Sequence, residues 1–285
     1  MKIVDYERDG DWLAARSKCV TASDGAAILG LSHYKTPLKV YEEKRNGGDS
    51  VDIDLFWWGH QMEQPTANFF TRKTGIELVD LGDYAIAYHD ENDWLAATLD
   101  RVTRDGVPVE LKHISNGVSL DAWEASPPLD NEIQLQIQMY VTRSDRGYLV
   151  GSGFHHAQLG IVEMKRNDKF LNYAIPLLKK FYDESIVGNL VPTPVSGVDK
   201  KIIQSVFGAD DGTTVMLGDA ELQIINEVEQ YRDDVKATIE KKEKLEALLK
   251  FRLGASSFGW LPDGTYLTNK TDKRGVRTLR RTRRF

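Results

Sequence analysis

The segment that decides the fold is Thr98-Leu99-Asp100-Arg101-Val102-Thr103-Arg104-Asp105-Gly106-Val107-Pro108-Val109-Glu110-Leu111-Lys112. Two β-prone runs flank Asp105-Gly106, a dipeptide typical of hairpin turns, so the segment predicts a β-hairpin. Strand side chains alternate between the two faces of a sheet. Glu110 and Lys112 therefore share one face, and the apolar Leu111 lies on the other.

The length of the hairpin loop decides whether Asp100 joins that face. A two-residue loop, Asp105-Gly106, would pair Arg101 with Glu110 and turn Asp100 to the wrong side. A three-residue loop, residues 104–106 with Gly106 in the left-handed conformation, pairs Asp100 with Glu110. We expect the three-residue loop or an equivalent bulge.

Such a hairpin would bring together two carboxylates and one ammonium group. Carboxylates a few ångströms apart repel each other unless a cation or a shared proton intervenes. Oxygen ligands favour Mg²⁺ or Mn²⁺ over zinc, and the metal would polarise a phosphate and acidify a bound water. Lys112 would orient that water or offset developing negative charge. The same three residues equally fit a solvated hairpin with a surface Glu-Lys pair.

Composition sets the class of protein. The 285 residues, 41% hydrophobic and 28% charged, are enough for one sizeable core and an appendage. There is no long apolar run for a membrane span and no apolar segment near Met1 for a secretory signal, so we expect a cytoplasmic protein. Cys19 is the single cysteine, which excludes an internal disulfide and a multi-thiolate zinc site. The net charge of −6 leaves a local basic DNA groove possible.

A candidate phosphate site precedes the hairpin. Ser23 is a good helix N-cap, Asp24 suits the first turn, and Gly30 would close the helix. A helix N-terminus attracts phosphate, and Arg16 nearby could clamp it. Taken alone, this stretch favours plain helix capping.

Residues 54–73 predict an amphipathic helix that carries Glu63, with Pro65 either kinking it or starting a second segment. Its apolar members are expected to pack against the sheet: Phe56, Trp57, Ala67, Phe69 and Phe70. Glu63 could project towards the hairpin as a further metal ligand, although an acid on a helix is more often solvated.

Strands are predicted at residues 76–79 and 84–88, and a third is expected to run from Trp94 through Asp100. Residues 131–142, capped by Asp130, predict a helix with glutamines at 134, 136 and 138 among apolar residues. Gln134 and Gln138 share one face of it, and Gln136 and Tyr140 another. Because buried amides need partners, a polar site should lie beside at least one of them.

The rest of the chain predicts the end of the core and a C-terminal appendage. A strand pair is expected at 146–164, with His155 and His156 in a loop rather than a metal site, followed by a long helix to about residue 188. We divide the chain into a core (1–193), a linker (194–217), a long coiled-coil-like helix (218–254) and a small β-hairpin with a basic tail (255–285). The tail could contact the DNA backbone or remain a solvated terminus.

Taken together, these motifs resemble the phage-type exonucleases of the YqaJ-like viral recombinase family, which includes lambda exonuclease, within the PD-(D/E)XK nuclease superfamily. The resemblance covers roughly residues 10–190. The motifs that carry it are, in chain order, Arg16 with Thr21-Ala22-Ser23, residues 59–63, Asp100, Glu110-Leu111-Lys112, Gln134 to Gln136, and Met139 to Thr142. Leu99 stands where the superfamily has proline, a common variation.

The resemblance implies an α/β (α+β) restriction-endonuclease-like core, with a central mixed sheet flanked by helices. It implies that Asp100, Glu110, Glu63 and the Leu111 backbone carbonyl hold two Mg²⁺ ions, with Mn²⁺ able to substitute. Lys112 and Gln136 complete the implied catalytic set. The implied contacts to DNA and its 5′-phosphate come from Arg16, Thr21, Ser23, Gln134 and Tyr140.

The function implied is a Mg²⁺-dependent 5′→3′ exonuclease that digests linear double-stranded DNA and leaves 3′ overhangs for a single-strand annealing partner in phage recombination. The resemblance also implies a ring-shaped homo-oligomer, either a trimer or a tetramer. If a phage encodes the protein, we expect it in the cytoplasm of the host cell. Two alternatives remain: an endonuclease or repair nuclease with the same site, and a non-catalytic DNA-binding assembly protein.

Overall fold

The structure is a computed structural model, and it describes residues 1–46, 53–114, 119–153 and 158–282. The predicted loop at His155-His156 and the last three residues lie outside these ranges. The chain forms two compact units, Met1–Asp210 and Asp211–Phe285. Within the described residues, no helix is long and apolar enough to cross a membrane.

The predicted hairpin is formed by β6 (Arg101–Thr103) and β7 (Pro108–Ile114). Its register pairs Arg101 with Val109, and the Thr103 N–H donates to the Val107 carbonyl at 2.9 Å. Gly106 has φ +83°, the left-handed conformation that a three-residue loop requires. The same register sets Asp100 opposite Glu110, so the prediction of an odd-length loop is confirmed.

The hairpin lies inside a mixed five-stranded sheet with the order β3-β6-β7-β8-β9. The remaining strands are β3 (Leu78–Val79), β8 (Arg146–Gly153) and β9 (Leu159–Lys165). β7 and β8 pair in parallel, and the other pairs are antiparallel. Helices α4 (Ile53–Thr74) and α6 (Leu129–Thr142) cover the two faces. This is the predicted mixed sheet flanked by helices.

Helix α4 runs through Pro65 without ending. Ala67 and Phe70 are buried against Val109 and Leu111 of the hairpin, as predicted. Trp57, however, is 56% exposed and does not pack on the sheet. It precedes Ala67 by almost three turns and lies beyond the segment that contacts the strands. The side chain of Phe56 is outside the described residues.

The expected single strand from Trp94 through Asp100 is wrong. β5 (Leu95–Ala97) belongs to a separate four-stranded sheet of order β1-β4-β5-β2, together with β1 (Lys2–Asp5), β2 (Val20–Thr21) and β4 (Ala85–Tyr88). The chain leaves that sheet at Thr98 and enters the five-stranded sheet at Arg101. The cause is a change of hydrogen-bonding partners, which the local sequence does not show. Asp100 therefore lies at the junction between the two sheets.

Five more helices of the first unit are α1 (Asp9–Arg16), α2 (Gly25–Ile28), α3 (Pro37–Asn46), α5 (Leu120–Ala125) and α7 (Asp168–Phe181), which continues as a π-helical turn at Tyr182–Val187. α6 begins at Leu129 with Pro128 at its N-cap, so the predicted cap at Asp130 is wrong. Proline fixes the extended conformation needed before a helix, and Asp130 falls in the first turn instead.

Part of the predicted linker at 194–217 is instead a packed element of the first unit. Helix α8 (Asp199–Phe207) lies within Met1–Asp210 and contacts α3. Asp199 is fully buried and accepts hydrogen bonds from Thr36 Oγ1 at 2.6 Å and from the backbone N–H of Val195 at 2.9 Å. Helix α8 has only nine residues, and its four apolar ones, Ile202, Ile203, Val206 and Phe207, were too few to stand out in the sequence.

The second unit consists of α9 (Asp219–Leu253) and a three-stranded antiparallel sheet, β10 (Phe258–Trp260), β11 (Tyr266–Thr271) and β12 (Arg277–Thr282). The predicted small β-hairpin is thus extended to three strands, because the basic tail forms the third strand as far as Thr282. The tail pairs with β11 over six residues, from Arg277 opposite Thr271 to Thr282 opposite Tyr266. Alternating threonine, leucine and arginine make this tail a competent strand.

Candidate active site

A cleft of about 800 Å³ opens at the junction of the two sheets. Eight of the sequence-predicted site residues line it: Arg16, Ser23, Glu63, Asp100, Glu110, Leu111, Lys112 and Gln134. The structure thus gathers residues separated by more than one hundred positions of the chain.

The hairpin places two carboxylates and one ammonium group on the same face. Glu110 is almost fully buried, and its Oε1 lies 2.5 Å from the Nζ of Lys112. Asp100 is half-buried, and its Oδ2 accepts a hydrogen bond from the backbone N–H of Leu111 at 2.7 Å. This bond ties the junction segment to β7 and fixes Asp100 beside Glu110.

Burial and neighbouring charges shift the pKa values of Asp100 and Lys112. Burial, and then the charge of Glu110, raise the pKa of Asp100 well above its ordinary value, and Lys112 opposes the rise. Burial lowers the pKa of Lys112, but the charges of Glu110 and Asp100 outweigh burial and raise it to about 12. Lys112 is therefore a cation at neutral pH, and the two acids repel each other.

Two glutamines on one face of α6 hold Glu110 in place. Gln134 Nε2 donates to Glu110 Oε1 at 2.7 Å, and Gln138 Nε2 donates to Glu110 Oε2 at 2.5 Å. Residues four apart on a helix lie on the same side, which is why both amides reach one carboxylate. The polar site expected beside the glutamines is thus present.

The glutamine assigned to catalysis lies elsewhere. Gln136 donates to the carbonyl of Lys165 at 2.9 Å and accepts from the N–H of Asn167 at 2.7 Å, at the start of α7. Its side chain points away from Glu110 because it is two residues, about 200°, from both Gln134 and Gln138 on the helix. The structure does not bring Gln136 into the cleft.

Gln138 is the site residue that the sequence assignment left out. It is 1% exposed, and its Oε1 has no hydrogen-bond partner among the described residues. The available signal was its helical spacing from Gln134. The family motif assigned Gln136 to the active site, whereas helical periodicity places Gln138 on the same face of α6 as Gln134.

Arg16 and Ser23 border the same cleft from the N-terminal side. Arg16 Nη1 donates to Thr98 Oγ1 at 2.7 Å, and its guanidinium lies 4.4 Å from the ring centre of Trp12. Ser23 is exposed, within a 3₁₀ turn at Ala22–Asp24. Arg16 and Ser23 could therefore face a phosphate from one side of the cleft.

The cap of this turn is Thr21 rather than Ser23. The Thr21 hydroxyl donates to Asp24 Oδ2 at 2.6 Å, and the Thr21 N–H donates to the same oxygen at 3.0 Å. Asp24 is buried; burial alone would raise its pKa, but the charges of Lys44, 2.7 Å away, and Lys35 outweigh burial and lower it. Thr21 is 1% exposed, so its predicted contact with DNA does not fit this placement.

Tyr140 also lies away from the predicted contact. Its ring stacks on His89 with centres 4.6 Å apart, and its hydroxyl accepts from Asn92 Nδ2 at 3.2 Å. Because Tyr140 shares the Gln136 side of α6, it faces away from the carboxylates. Its role here is to pack the helix against the segment that precedes β5.

Glu63 lines the cleft but does not join the two carboxylates. Its nearest charged partners are His60 Nδ1 at 3.3 Å and Arg101 Nη1 at 3.7 Å. Burial outweighs these two partners and raises its pKa. The charge of Glu110 contributes to this rise, so Glu63 and Glu110 act on each other across the cleft. Arg101, nearly buried and 3.0 Å from Asp80, is a second residue of the cleft that the sequence did not single out.

The donor set fits a hard divalent cation at two carboxylates, but not at three. Within the described residues, no group of three or more His, Cys, Asp or Glu side chains could hold a metal ion. Asp100 and Glu110 nevertheless offer adjacent anionic oxygens whose repulsion a cation would relieve. Lys112 and Gln134 contact Oε1 of Glu110 and Gln138 contacts Oε2, so one of the four lone pairs of this carboxylate remains for a cation.

The protein thus has a mixed sheet flanked by helices, and the adjacent carboxylates of Asp100 and Glu110 line a cleft at the junction of its two sheets. The fold is similar to that of an alkaline exonuclease, LHK-Exo from Laribacter hongkongensis. That structure is 18% identical, with a TM-score of 0.52 over 62% of this chain and 94% of the other. Its complex with dAMP gives 17% identity and a TM-score of 0.54 over 68% and 98%.

Residues 11–145 match the YqaJ-like viral recombinase domain, which confirms the resemblance stated from the sequence. The matched segment contains the hairpin, α4 and the glutamines of α6. The "Uncharacterized protein YqaJ" of Bacillus subtilis (strain 168) is 20% identical over 271 residues, covering 90% of this chain and 82% of that protein.

Proposed function

We propose that the protein is a Mg²⁺-dependent 5′→3′ exonuclease that acts on linear double-stranded DNA and leaves 3′ single-stranded overhangs. One observation carries this proposal. Asp100, Glu110 and Lys112 line the same cleft as Arg16 and Ser23, so groups suited to phosphodiester hydrolysis and to phosphate binding share one space. Mn²⁺ would substitute, because it accepts the same oxygen ligands.

Each residue has a distinct part in the proposed reaction. Asp100 and Glu110 would hold the metal, and Gln134 and Gln138 keep the Glu110 carboxylate oriented. Mg²⁺ would polarise the phosphodiester and lower the pKa of a water. Lys112, with a pKa near 12, stays charged; it is thus suited to orient the water and offset negative charge rather than to accept a proton.

The end of the digested strand would lie on the other side of the cleft. The Arg16 guanidinium offers paired N–H donors for a 5′-phosphate, and the exposed Ser23 hydroxyl adds another. Glu63 and Arg101 would border the DNA without touching the reacting phosphate. A homo-oligomer and a single-strand annealing partner belong to the same proposal, as the family resemblance implies.

The test is digestion of an end-labelled linear duplex, with and without a 5′-phosphate, beside a closed circular duplex in Mg²⁺. We expect nucleotide release from the linear duplex, faster with the 5′-phosphate, and an intact circle. Cleavage of the circular duplex would show that the protein is an endonuclease that uses the same site, and the exonuclease proposal would fail. DNA retained in EDTA without nucleotide release on adding Mg²⁺ would contradict both nuclease functions.

A further inference from the structure

The three-stranded sheet of the second unit has two chemically different faces. Directly opposed residues of antiparallel strands share a face. Phe258, Thr268 and Arg280 oppose one another across the three strands, as do Trp260, Tyr266 and Thr282. Leu267 and Asn269 alternate with them and lie on the other face.

The face with Leu267 and Asn269 packs against the end of α9. Leu267 is 8% exposed and Asn269 is 1% exposed. A Cβ at Gly259, on the same side, would collide with the side chain of Leu253, the last residue of α9. This face is therefore the small core of the unit.

The opposite face presents aromatic rings to solvent. Trp260 is 67% exposed and Phe258 is 49% exposed, while Tyr266 is half-buried between them. The ring centre of Tyr266 lies 5.2 Å from Trp260 and 6.1 Å from Phe258. We call the surface of Phe258, Trp260, Tyr266, Lys270 and Arg280 the aromatic face. Three clustered rings on an open sheet are a costly surface for a protein to leave bare.

Positive charge accompanies these rings. The Nζ of Lys270 lies 4.6 Å from the ring centre of Phe258, and Arg280 is exposed beside Thr268. Between Phe258 and Phe285 the sequence has eight Lys and Arg residues against two Asp. Arg277 and Arg281 are engaged by the unit itself, through the Gly254 carbonyl at 2.9 Å and the Asp263 carboxylate. Among the described residues of the three strands, Lys270 and Arg280 are the cations on the same side as the rings.

We propose that the aromatic face binds single-stranded DNA, with bases stacked on Trp260 and Phe258 and phosphates beside Lys270 and Arg280. Unpaired bases of any sequence can stack on aromatic rings, whereas duplex bases are already stacked. A second copy of the chain is a poor occupant, because two such faces would oppose their own cations. The choice of DNA over RNA rests on the proposed function, whose product is a single strand.

The test measures binding rather than digestion, with the full-length chain. Asp100→Asn protein in EDTA is titrated into a fluorescein-labelled 20-nucleotide single strand, and fluorescence anisotropy is followed over a range of salt. Trp260→Ala and Phe258→Ala should each weaken binding roughly tenfold, and Trp260→Phe should largely preserve it. The matched control is Phe251→Ala, which removes an 83% exposed ring on α9.

A second pair of variants removes charge without touching the rings. Lys270→Gln and Arg280→Gln should each lower the slope of log affinity against log salt by about 0.7. Circular dichroism and thermal melting establish that every variant is folded. Unchanged affinity in folded Trp260→Ala and Phe258→Ala proteins would overturn the proposal, as would an RNA strand bound more tightly than DNA.

Other outcomes identify another occupant. If the ring variants change the sedimentation behaviour but not the affinity for the single strand, the aromatic face is a protein contact and the proposal fails. Because binding is measured in EDTA, this result does not depend on catalysis. Failure of the proposed nuclease would appear separately, in the digestion of duplex DNA by the unmodified protein.

Discussion

The Nε2 of Gln138 lies 2.5 Å from the Oε2 of Glu110, so helix α6 directly supports the carboxylate of strand β7. Gln138 is buried, and the bond crosses from one element of the core to another. The orientation of the candidate catalytic acid therefore depends on the packing of α6 against the sheet.

Replacing Gln138 by leucine should weaken metal binding. The change removes an amide donor that orients Glu110, and loss of such a supporting bond typically costs about 10- to 100-fold in metal affinity or activity. The measurement is the Mg²⁺ concentration for half-maximal digestion. Gln136→Leu is the matched control, since Gln136 bonds only the Lys165–Asn167 backbone; it should lower stability by about 1–2 kcal/mol and leave the Mg²⁺ requirement unchanged. A Mg²⁺ requirement that rises in Gln136→Leu but not in Gln138→Leu would contradict the assignment of Gln138 as the residue that orients Glu110.

Asp100→Asn and Lys112→Ala should each abolish digestion of linear duplex DNA while the fold persists. The first removes an anionic metal ligand, and the second removes the charge that offsets the developing negative phosphate, so rates should fall at least about 100-fold. Single-turnover digestion gives the rate, and circular dichroism checks the fold. Full activity in either variant would remove that residue from the proposed mechanism.

Asp100→Asn should also stabilise the metal-free protein. Burial and Glu110 raise the pKa of Asp100 above its unfolded value, so the folded state holds its proton more tightly. The ionised carboxylate therefore costs stability once the pH exceeds the unfolded pKa, and lowering the pH restores it. We expect a higher Tm for Asp100→Asn at pH 8 in EDTA, by about 2–4 °C for each kcal/mol of relieved repulsion.

Mg²⁺ should raise the Tm of the unmodified protein and leave Asp100→Asn unaffected. The Mg²⁺ effect should shrink as the pH falls, because protons compete for Asp100. A variant less stable than the unmodified protein in EDTA at pH 8 would show that the two acids do not repel each other.

Arg16→Ala should reduce the preference for 5′-phosphorylated over 5′-hydroxyl ends. A charged hydrogen bond to phosphate contributes about 1.5–3 kcal/mol, so the preference should fall by about tenfold or more. The readout is the ratio of digestion rates on the two duplexes, which cancels general damage to the enzyme. Arg8→Ala, an exposed arginine paired with Asp11, is the control. An unchanged ratio would argue against a phosphate site at Arg16.

Asp199→Ala should destabilise the first unit by about 2–3 kcal/mol. The buried carboxylate accepts from Thr36 Oγ1 and from the N–H groups of Val195 and Ser196 at 3.0 Å or less, and its removal leaves these donors unpaired. Urea unfolding measures the change, and exposed Asp210→Ala serves as control. Equal stability would indicate that residues 194–207 behave as the linker the sequence predicted.

Those parts of the candidate site that depend on neighbouring residues could be predicted from the sequence. Hairpin register follows from loop length and from Gly106, so the shared face of Asp100, Glu110 and Lys112 could be deduced from fifteen residues. Helical spacing likewise indicated that Gln134 and Gln138 act together. Motif position singled out Gln136 and Tyr140, whose side chains lie away from Glu110, because it does not specify which side of α6 faces the sheet.

The sequence by itself determined the hairpin, the principal helices and the side of the strand on which the catalytic candidates stand. These depend on alternation, capping and turn conformation, which act over a few residues. Only the tertiary structure decided that the chain changes sheets at Asp100, that Glu63 pairs with His60 and Arg101, and that the basic tail becomes a strand. Each of these depends on which distant segments pair or pack. Burial and hydrogen bonds between such segments stabilise the protein only when the whole fold has formed.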